Sequence, residues 1–355
     1  MALQSSGQIT LKEIAAEFND TAPHTLKEFY SAAAGIPASG TITIKDFYGA
    51  SNITTWSITS NQQELNIYTY LTGAGWDENS VAQVTIDSSV WIYSNSTSTA
   101  GLTVPSSMAN KLILINNGKI IGMGGAGGNS SAGEDGGAAI SNSASGCSII
   151  NNSGAFIAGG GGGGGGAYSS YQSFYIGGGG GAGGGAGANS AIYAGGSGAT
   201  TLGGEGSTGQ TRSGPDSGYG GGAGGGGGAG GGGGGGGRSL GSPSPSNYGI
   251  PSTHSGAFGG EGPLYSTLNG DVALTDAQKP HGGYSDQPGK TGILPNNTIT
   301  MGGGGGGWGA AGGSGKSDYY SGASVIEYAG GSGGAAISGT SMSVTNNGAI
   351  YGSQA

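Results

Sequence analysis

Gly159–Gly166 is a run of eight glycines, bounded by Ala158 on one side and Ala167-Tyr168 on the other. How that run is read decides the fold. Three further tracts follow: Gly177–Gly187 (with Ala182 and Ala186), Gly220–Gly237 (with Ala223 and Ala229) and Gly302–Gly307. One reading is a flexible linker, because glycine has the largest conformational entropy of any residue. The other is a bundle of polyglycine II helices, with three residues per turn and a rise of about 3.1 Å. In such a bundle each N–H and C=O points sideways to a neighbouring chain, and a side chain would hold that neighbour off. Three observations favour order. The tracts are interrupted only by alanine, whereas linkers are rich in serine. They are separated by non-repetitive, aromatic segments. Their lengths are comparable, spanning roughly 25–56 Å at that rise.

Outward from the tracts, the composition is lopsided. Of 355 residues 89 are glycine, and 81 of these lie in 122–355. Charged residues are 8% of the chain and the net charge is −9. The ten Lys and Arg do not cluster, so no nucleic-acid partner is expected. Cys147 is the only cysteine, which excludes an intrachain disulfide and reads as a small buried apolar residue. The longest strictly aliphatic run is Leu112–Ile115, far short of a membrane span, and Met1–Thr10 shows no secretory signal. No membrane insertion is expected, and the chain reads as made in a reducing cytoplasm.

Repeated strand-turn units bracket the glycine-rich part. Val84-Thr-Ile-Asp-Ser-Ser-Val-Trp-Ile92, Leu114-Ile-Asn-Asn-Gly-Lys-Ile120, Ile150-Asn-Asn-Ser-Gly-Ala-Phe-Ile157 and Val344-Thr-Asn-Asn-Gly-Ala-Ile-Tyr351 each read as strand, turn, strand. Asn and Gly suit tight turns because they tolerate positive φ. Gly136-Gly-Ala-Ala-Ile-Ser141 recurs as Gly333–Ser338. Units that open and close the region predict that its two ends pack together. Residues 51–121 read as mostly β, with strands near 54–60, 81–87, 90–93 and 111–121 and a short helix over 64–71.

Residues 1–50 hold a third repeat: Thr10-Leu-Lys-Glu-Ile14, Thr25-Leu-Lys-Glu-Phe-Tyr30 and Thr43-Ile-Lys-Asp-Phe-Tyr48. Thr followed three residues later by Glu is the spacing of a capping box, and Asp in the last copy is a weaker version. Each copy should start a helical turn that presents its apolar residues on one side. Leu11, Ile14, Leu26, Phe29, Tyr30, Ile44, Phe47 and Tyr48 are the candidate docking residues. The segment reads as a docking module for a partner protein, with a self-contained mini-domain as the alternative.

Chemical motifs are weak. Ala310–Ser317 fits a relaxed phosphate loop but has no βαβ context. His24, His254 and His281 lack zinc spacing, and Glu134-Asp135 reads as an exposed turn. No enzyme activity, metal or cofactor is expected. The predicted fold is mainly β and irregular: short N-terminal helices in 1–50, a small β domain in 51–121, and a polyglycine II bundle with end loops in 122–355.

The opening Ser-Gly-x-Ile-Thr-Leu-Lys-Glu-Ile, the Ala74-Gly-Trp-Asp77 segment, the Asn-Asn-Gly-x-Ile turns and the tracts together resemble glycine-rich tail proteins of tailed bacteriophages. The tracts are similar in kind to those of adhesins at the tips of long tail fibres in T-even-like phages. In that family a polyglycine II sandwich carries variable loops that bind an outer-membrane protein or a surface glycan. The resemblance implies a virion tail protein whose partners are other tail proteins and a host surface receptor, and it admits a homotrimer. The aromatic segments between tracts then supply the receptor contacts, with Tyr168, Tyr171, Phe174, Tyr175, Tyr319 and Tyr320 as candidates. Tyr offers contact area with few rotors. A purely structural virion part is the rival reading. An ice-binding polyglycine protein would want flat Thr/Ala faces, which are not evident.

Overall fold

A computed structural model describes residues 3–18, 20–30, 32–33, 36–37, 39–50, 52–169, 174–185, 238–240, 299–301, 303–317 and 325–354. The first element, α1 (Leu11–Glu17), starts where predicted. The Thr10 side chain accepts from the Glu13 amide at 3.2 Å, and the Glu13 carboxylate accepts from the Thr10 amide at 2.6 Å. The other two repeats form single 3-10 turns, Leu26–Phe29 and Ile44–Phe47. Ile14, Phe29 and Phe47 are buried together with Ile9 and Ile36, so the segment has a small core of its own.

From residue 53 the chain coils. β1 (Ile53–Ile58), β2 (Gln62–Gln63) and β3 (Leu65–Asn66) lie in three different sheets, and the helix α2 (Ile67–Gly73) follows. The helix expected over 64–71 therefore begins only at Ile67, because the Asn66 side chain caps it and Leu65 is claimed by a strand. The second circuit is β4 (Val81–Ile86), β5 (Trp91–Tyr93) and β6 (Leu102–Val104). The third is β7 (Leu112–Asn116), β8 (Lys119–Ile121) and β9 (Ile140–Asn142). A fourth starts with β10 (Ser148–Asn151) and β11 (Phe156–Ala158). The chain then leaves through β12 (Ala167–Ser169), β13 (Phe174–Ile176), β14 (Arg238–Leu240), β15 (Ile299–Met301), β16 (Lys316–Ser317) and β17 (Val325–Glu327). It returns as β18 (Ile337–Gly339), and β19 (Ser343–Asn346) and β20 (Ala349–Tyr351) lie on a fifth circuit.

Corresponding strands of successive circuits pair in parallel, giving sheets β1-β4-β7-β10-β19, β2-β5-β8-β11-β20 and β3-β6-β9-β18. The result is a three-sided parallel β-solenoid. Its interior is made of rows: Val84, Leu114 and Ile149 in register on the first side, Ile92, Ile120 and Ile157 on the second, Leu65, Leu102, Ile140 and Ile337 on the third. All are buried.

The Asn-Asn-Gly units are the corners between the first and second sides, not hairpins. Their Asn residues stack. Asn116 and Asn151 are fully buried, yet Asn116 Nδ2 donates to Asn151 Oδ1 at 2.8 Å and Asn151 Nδ2 to Asn346 Oδ1 at 2.9 Å. The ladder satisfies amides whose burial would otherwise be costly. Among these corners the expected positive φ occurs only at Gly154, at 84°. Gly118 is needed for space instead: a Cβ there would lie 2.5 Å from the Val90 carbonyl of the circuit before it.

The boundary expected after residue 121 does not separate two cores. Ile140, Ile149, Ile157 and Ile337 belong to the same buried cluster as Ile58 and Leu102. Glycine content changes at 122, but the coil continues through it. The glycine-rich part is two excursions, 122–139 and 159–336, each leaving after a second-side strand and returning on a third-side strand. The two copies of the Gly-Gly-Ala-Ala-Ile-Ser unit meet there, Ile140 pairing with Ile337 and Ser141 with Ser338.

The excursions pack around Gly159–Gly166. Its amides donate in three directions with a period of three. Gly160, Gly163 and Gly166 donate to Gly137, Glu134 and Ser131; Gly161 and Gly164 to Ala182 and Gly179; Gly162 and Gly165 to Ala310 and Gly313, all at 2.7–3.1 Å. Its carbonyls accept from three other segments: Gly125 and Gly128 donate to Gly161 and Gly164, Gly306 and Gly303 to Gly162 and Gly165, and Gly334 and Gly331 to Gly160 and Gly163. The tract thus has six neighbours and no room for side chains. A Cβ on Gly163 would fall 1.8 Å from the Ala126 carbonyl oxygen, and one on Gly160 1.9 Å from that of Met123. Glu134 and Asp135 are exposed but lie along this packed segment, not in a turn. In the phosphate-loop match, the Gly312, Gly313 and Gly315 amides are consumed by Gly331, Gly304 and Tyr328.

An aromatic wedge joins the two parts. Trp308 is fully buried against Phe156 of β11 (centroids 6.2 Å apart), which in turn meets Trp91 of β5 edge-on at 6.0 Å.

Candidate functional site

The central tract leaves the solenoid at Ala158 and ends at Ala167. At that far end two small antiparallel sheets lie side by side, β13-β12-β17 and β14-β15-β16. Segments 170–173, 241–298 and 318–324 each begin and end on these strands. Antiparallel pairing suits this end because a chain emerging from one tract must turn back along another.

Tyr168 sits in β12, half-buried, with Tyr175 opposite it in β13 and Ile326 opposite it in β17. Ile326 is 46% exposed, a large apolar side chain on the surface. Phase along β12 explains the contrast with Ala167, which is fully buried against the bundle. Phe174 stands opposite Ser169. Three of the candidate aromatic positions (168, 174 and 175) are thereby brought to one small sheet. Tyr171, Tyr319 and Tyr320 lie outside the described residues. Ile326 was missed by sequence reading. Its signal was a two-residue strand period, too short to fix a face.

At the other end of the chain, the candidate docking residues divide. Ile14, Phe29 and Phe47 are buried in the segment's own core and so are not surface contacts, because the three turns face one another. Leu11, Leu26, Ile44, Tyr30 and Tyr48 are half-buried. The Tyr30 and Tyr48 hydroxyls donate to the carbonyls of Gly40 and Gly7.

Charge chemistry is sparse. Burial pushes the Asp77 carboxyl up, but hydrogen bonds from Ser80 and Asn79 outweigh it and hold the group below its ordinary value. These bonds close the turn into β4 and involve no cleft. Burial raises the Cys147 thiol. Among the described residues no group of His, Cys, Asp and Glu could hold a metal ion, and no helix is long and apolar enough to cross a membrane.

A solenoid base bearing a glycine excursion with paired strands at its far end is an arrangement for display. The family model of the phage tail fibre adhesin Gp38 matches residues 53–231, more than half of the chain. The chain belongs to the Gp38 family of phage tail fibre adhesins. It is therefore a tail adhesin, and its place is the tail of the virion. Among solved structures, this Gp38-family chain is similar to the crystal structure of the gp37-gp38 adhesin tip complex of the bacteriophage S16 long tail fiber. The TM-score is 0.47 and the identity 21%, over 100% of both chains. No curated protein sequence matches it.

Proposed function

We propose that this Gp38-family chain binds a host outer-surface protein or glycan through aromatic segments held at the far end of a polyglycine II bundle. The observation that carries this reading is the hydrogen-bond period of the central tract. Donors leave every third residue toward each of three neighbours, as a three-residue-per-turn helix without internal hydrogen bonds requires. A bundle of this kind is rigid, and its interior needs no side chains. Sequence between the tracts is then free to serve contact.

The contact residues are Tyr168, Tyr171, Phe174, Tyr175, Tyr319 and Tyr320, joined by Ile326. Binding is by aromatic burial and hydrogen bonds, with few charges, so it depends weakly on salt. No bond is made or broken in the receptor. Residues 1–50 attach the chain to another tail protein through Leu11, Leu26, Ile44, Tyr30 and Tyr48.

The test is adsorption of phage carrying exchanged segments 168–175 and 318–326, which together hold all seven contact residues. The expected outcome is loss of adsorption or a changed host range with virions otherwise intact. Unchanged adsorption after both exchanges sinks the receptor reading and leaves a structural virion part.

A further inference from the structure

Residues 343–354 supply the fifth circuit, and each part of it lies on a different neighbour. β19 pairs with β10, β20 pairs with β11, and Gln354 bridges to Ile337 of β18. Among the described residues nothing pairs with the opposite edge of β19 or β20. The difference shows in the interior rows. Ile149 and Ile157 are fully buried, whereas Val344 and Ile350, one circuit on, are half-buried. Asn346 is exposed where its ladder neighbours Asn116 and Asn151 are fully buried. The fifth circuit is therefore held from one side.

That circuit grips the glycine excursion at three points. The Tyr351 carbonyl accepts from the amide of Gly159, where the excursion starts, at 3.0 Å. The Ser353 carbonyl accepts from Ala336 at 2.9 Å and from Ile337 at 3.2 Å, where the excursion ends. Between them Gly352 lies against Gly309, from a middle segment: a Cβ on Gly309 would fall 2.4 Å from the Gly352 Cα. Tyr351 also packs on the cluster that holds Trp308. Gly352 has a φ of 108°, and a Cβ there would lie 2.6 Å from the Gly334 carbonyl oxygen, so the crossing needs glycine.

The order in which these contacts form follows from chain length. Asn151 and Asn346 are 195 residues apart in sequence. Bringing them together while the excursion is unfolded carries the full entropy of closing that loop. Once the excursion has folded, β18 lies beside β9. Thr340 is then fixed to Asn142, its amide donating to the backbone carbonyl at 2.7 Å and its carbonyl accepting from the side chain at 2.6 Å. β19 begins three residues later, so its pairing with β10 has become a local event.

We propose that residues 343–354 form a strap that closes after the excursion has folded, opens as a unit without unfolding the base, and by closing locks the glycine bundle to the solenoid. With the strap open, circuits one to four keep their rows. The start, middle and end of the excursion lose their shared anchor.

The test is native-state hydrogen exchange on the full chain, read by fragment mass spectrometry. Amides of 343–354 that pair with the fourth circuit should exchange together with those of Gly159, Ala336 and Ile337, at least about tenfold faster than Leu114 and Ile120. Gly352→Val in the full chain should raise exchange at Gly159, Ala336 and Ile337 about tenfold or more and leave Leu114 and Ile120 unchanged. Ile350→Ala, which keeps Gly352 in place, should raise the same three amides by a smaller factor. Strap amides that exchange no faster than Leu114 and Ile120 overturn separate opening. Faster exchange confined to 343–354 in both variants shows that the strap holds nothing beyond itself and overturns the lock. If Ile350→Ala speeds Leu114 and Ile120 by the same factor as the strap, base and strap are one unit and the proposal fails.

Discussion

The solenoid and the glycine bundle are both buried, but by opposite means. In the solenoid, rows of Ile, Leu and Val fill the interior, stacked circuit upon circuit. In the bundle, the buried surface is peptide backbone, and the cross-links are amide hydrogen bonds. Each such bond contributes only about 1 kcal/mol net, while ordering glycine costs more entropy than ordering any other residue. A single pair of glycine segments would not hold. Six neighbours around one tract let every amide of that tract find a partner together. The lesson is an inversion: the solenoid is damaged by removing atoms and the bundle by adding them.

The hardest way to break that contrast is to add atoms at its centre. Gly163→Val should destabilise the bundle by roughly 4 kcal/mol or more, since even the first carbon meets a carbonyl at 1.8 Å. Urea unfolding should show it, and an unchanged midpoint would refute the packing. Removing atoms from the solenoid comes next. Ile120→Ala should cost about 2–5 kcal/mol in the same measurement, whereas a fully buried alanine already stands in the bundle at Ala182. The Asn ladder lies between the two regimes, a side-chain row that works by hydrogen bonds. Asn151→Ala strips partners from both Asn116 and Asn346 and should cost about 1–3 kcal/mol; a thermal melt indistinguishable from the parent would show that the ladder is ornamental.

The smallest effect is at the capped N-terminal turn, outside both regimes. Thr10→Ala should cost about 1 kcal/mol of local stability. Hydrogen bonds from Thr10, first from its backbone and then from its side chain, hold the Glu13 carboxyl below its ordinary value. Because the folded value is the lower one, the cap is complete at neutral pH and is lost as pH falls through that value. No loss is expected on the alkaline side. Circular dichroism between pH 7 and pH 3 (about the range over which carboxylates titrate) should report the change, and Glu13→Gln should remove it.

Much of this was legible in the chain. Alanine as an interruption, at Ala182, marked a packed stretch, whereas Gly220–Gly237 lies outside the described residues; the Asn-Asn-Gly units marked a repeated corner. The coil itself was hidden, because its circuits differ so much in length. Eighteen residues part β8 from β9 and far more part β11 from β18, so no fixed period survives. The end of the ordinary composition at residue 121 then looked like the end of a domain, although the third side of the same circuit had yet to come. At the N-terminus each copy of the repeat was expected to present its apolar residues on one side, and Ile14, Phe29 and Phe47 share one buried cluster. That the face is turned inward follows from there being three copies to cover one another, which spacing alone does not reveal. At the tip, Tyr168 could be placed because a strand holds it.

The excursion that carries the tip starts at Gly159 and closes at Ala336, and the two flanks are stitched together where Gly334 donates to Gly160 at 2.7 Å. Entry and exit thus share one doorway in the solenoid wall. Every described solenoid strand lies outside that stretch, so sequence exchanged between its two borders leaves the strands of the base as they are.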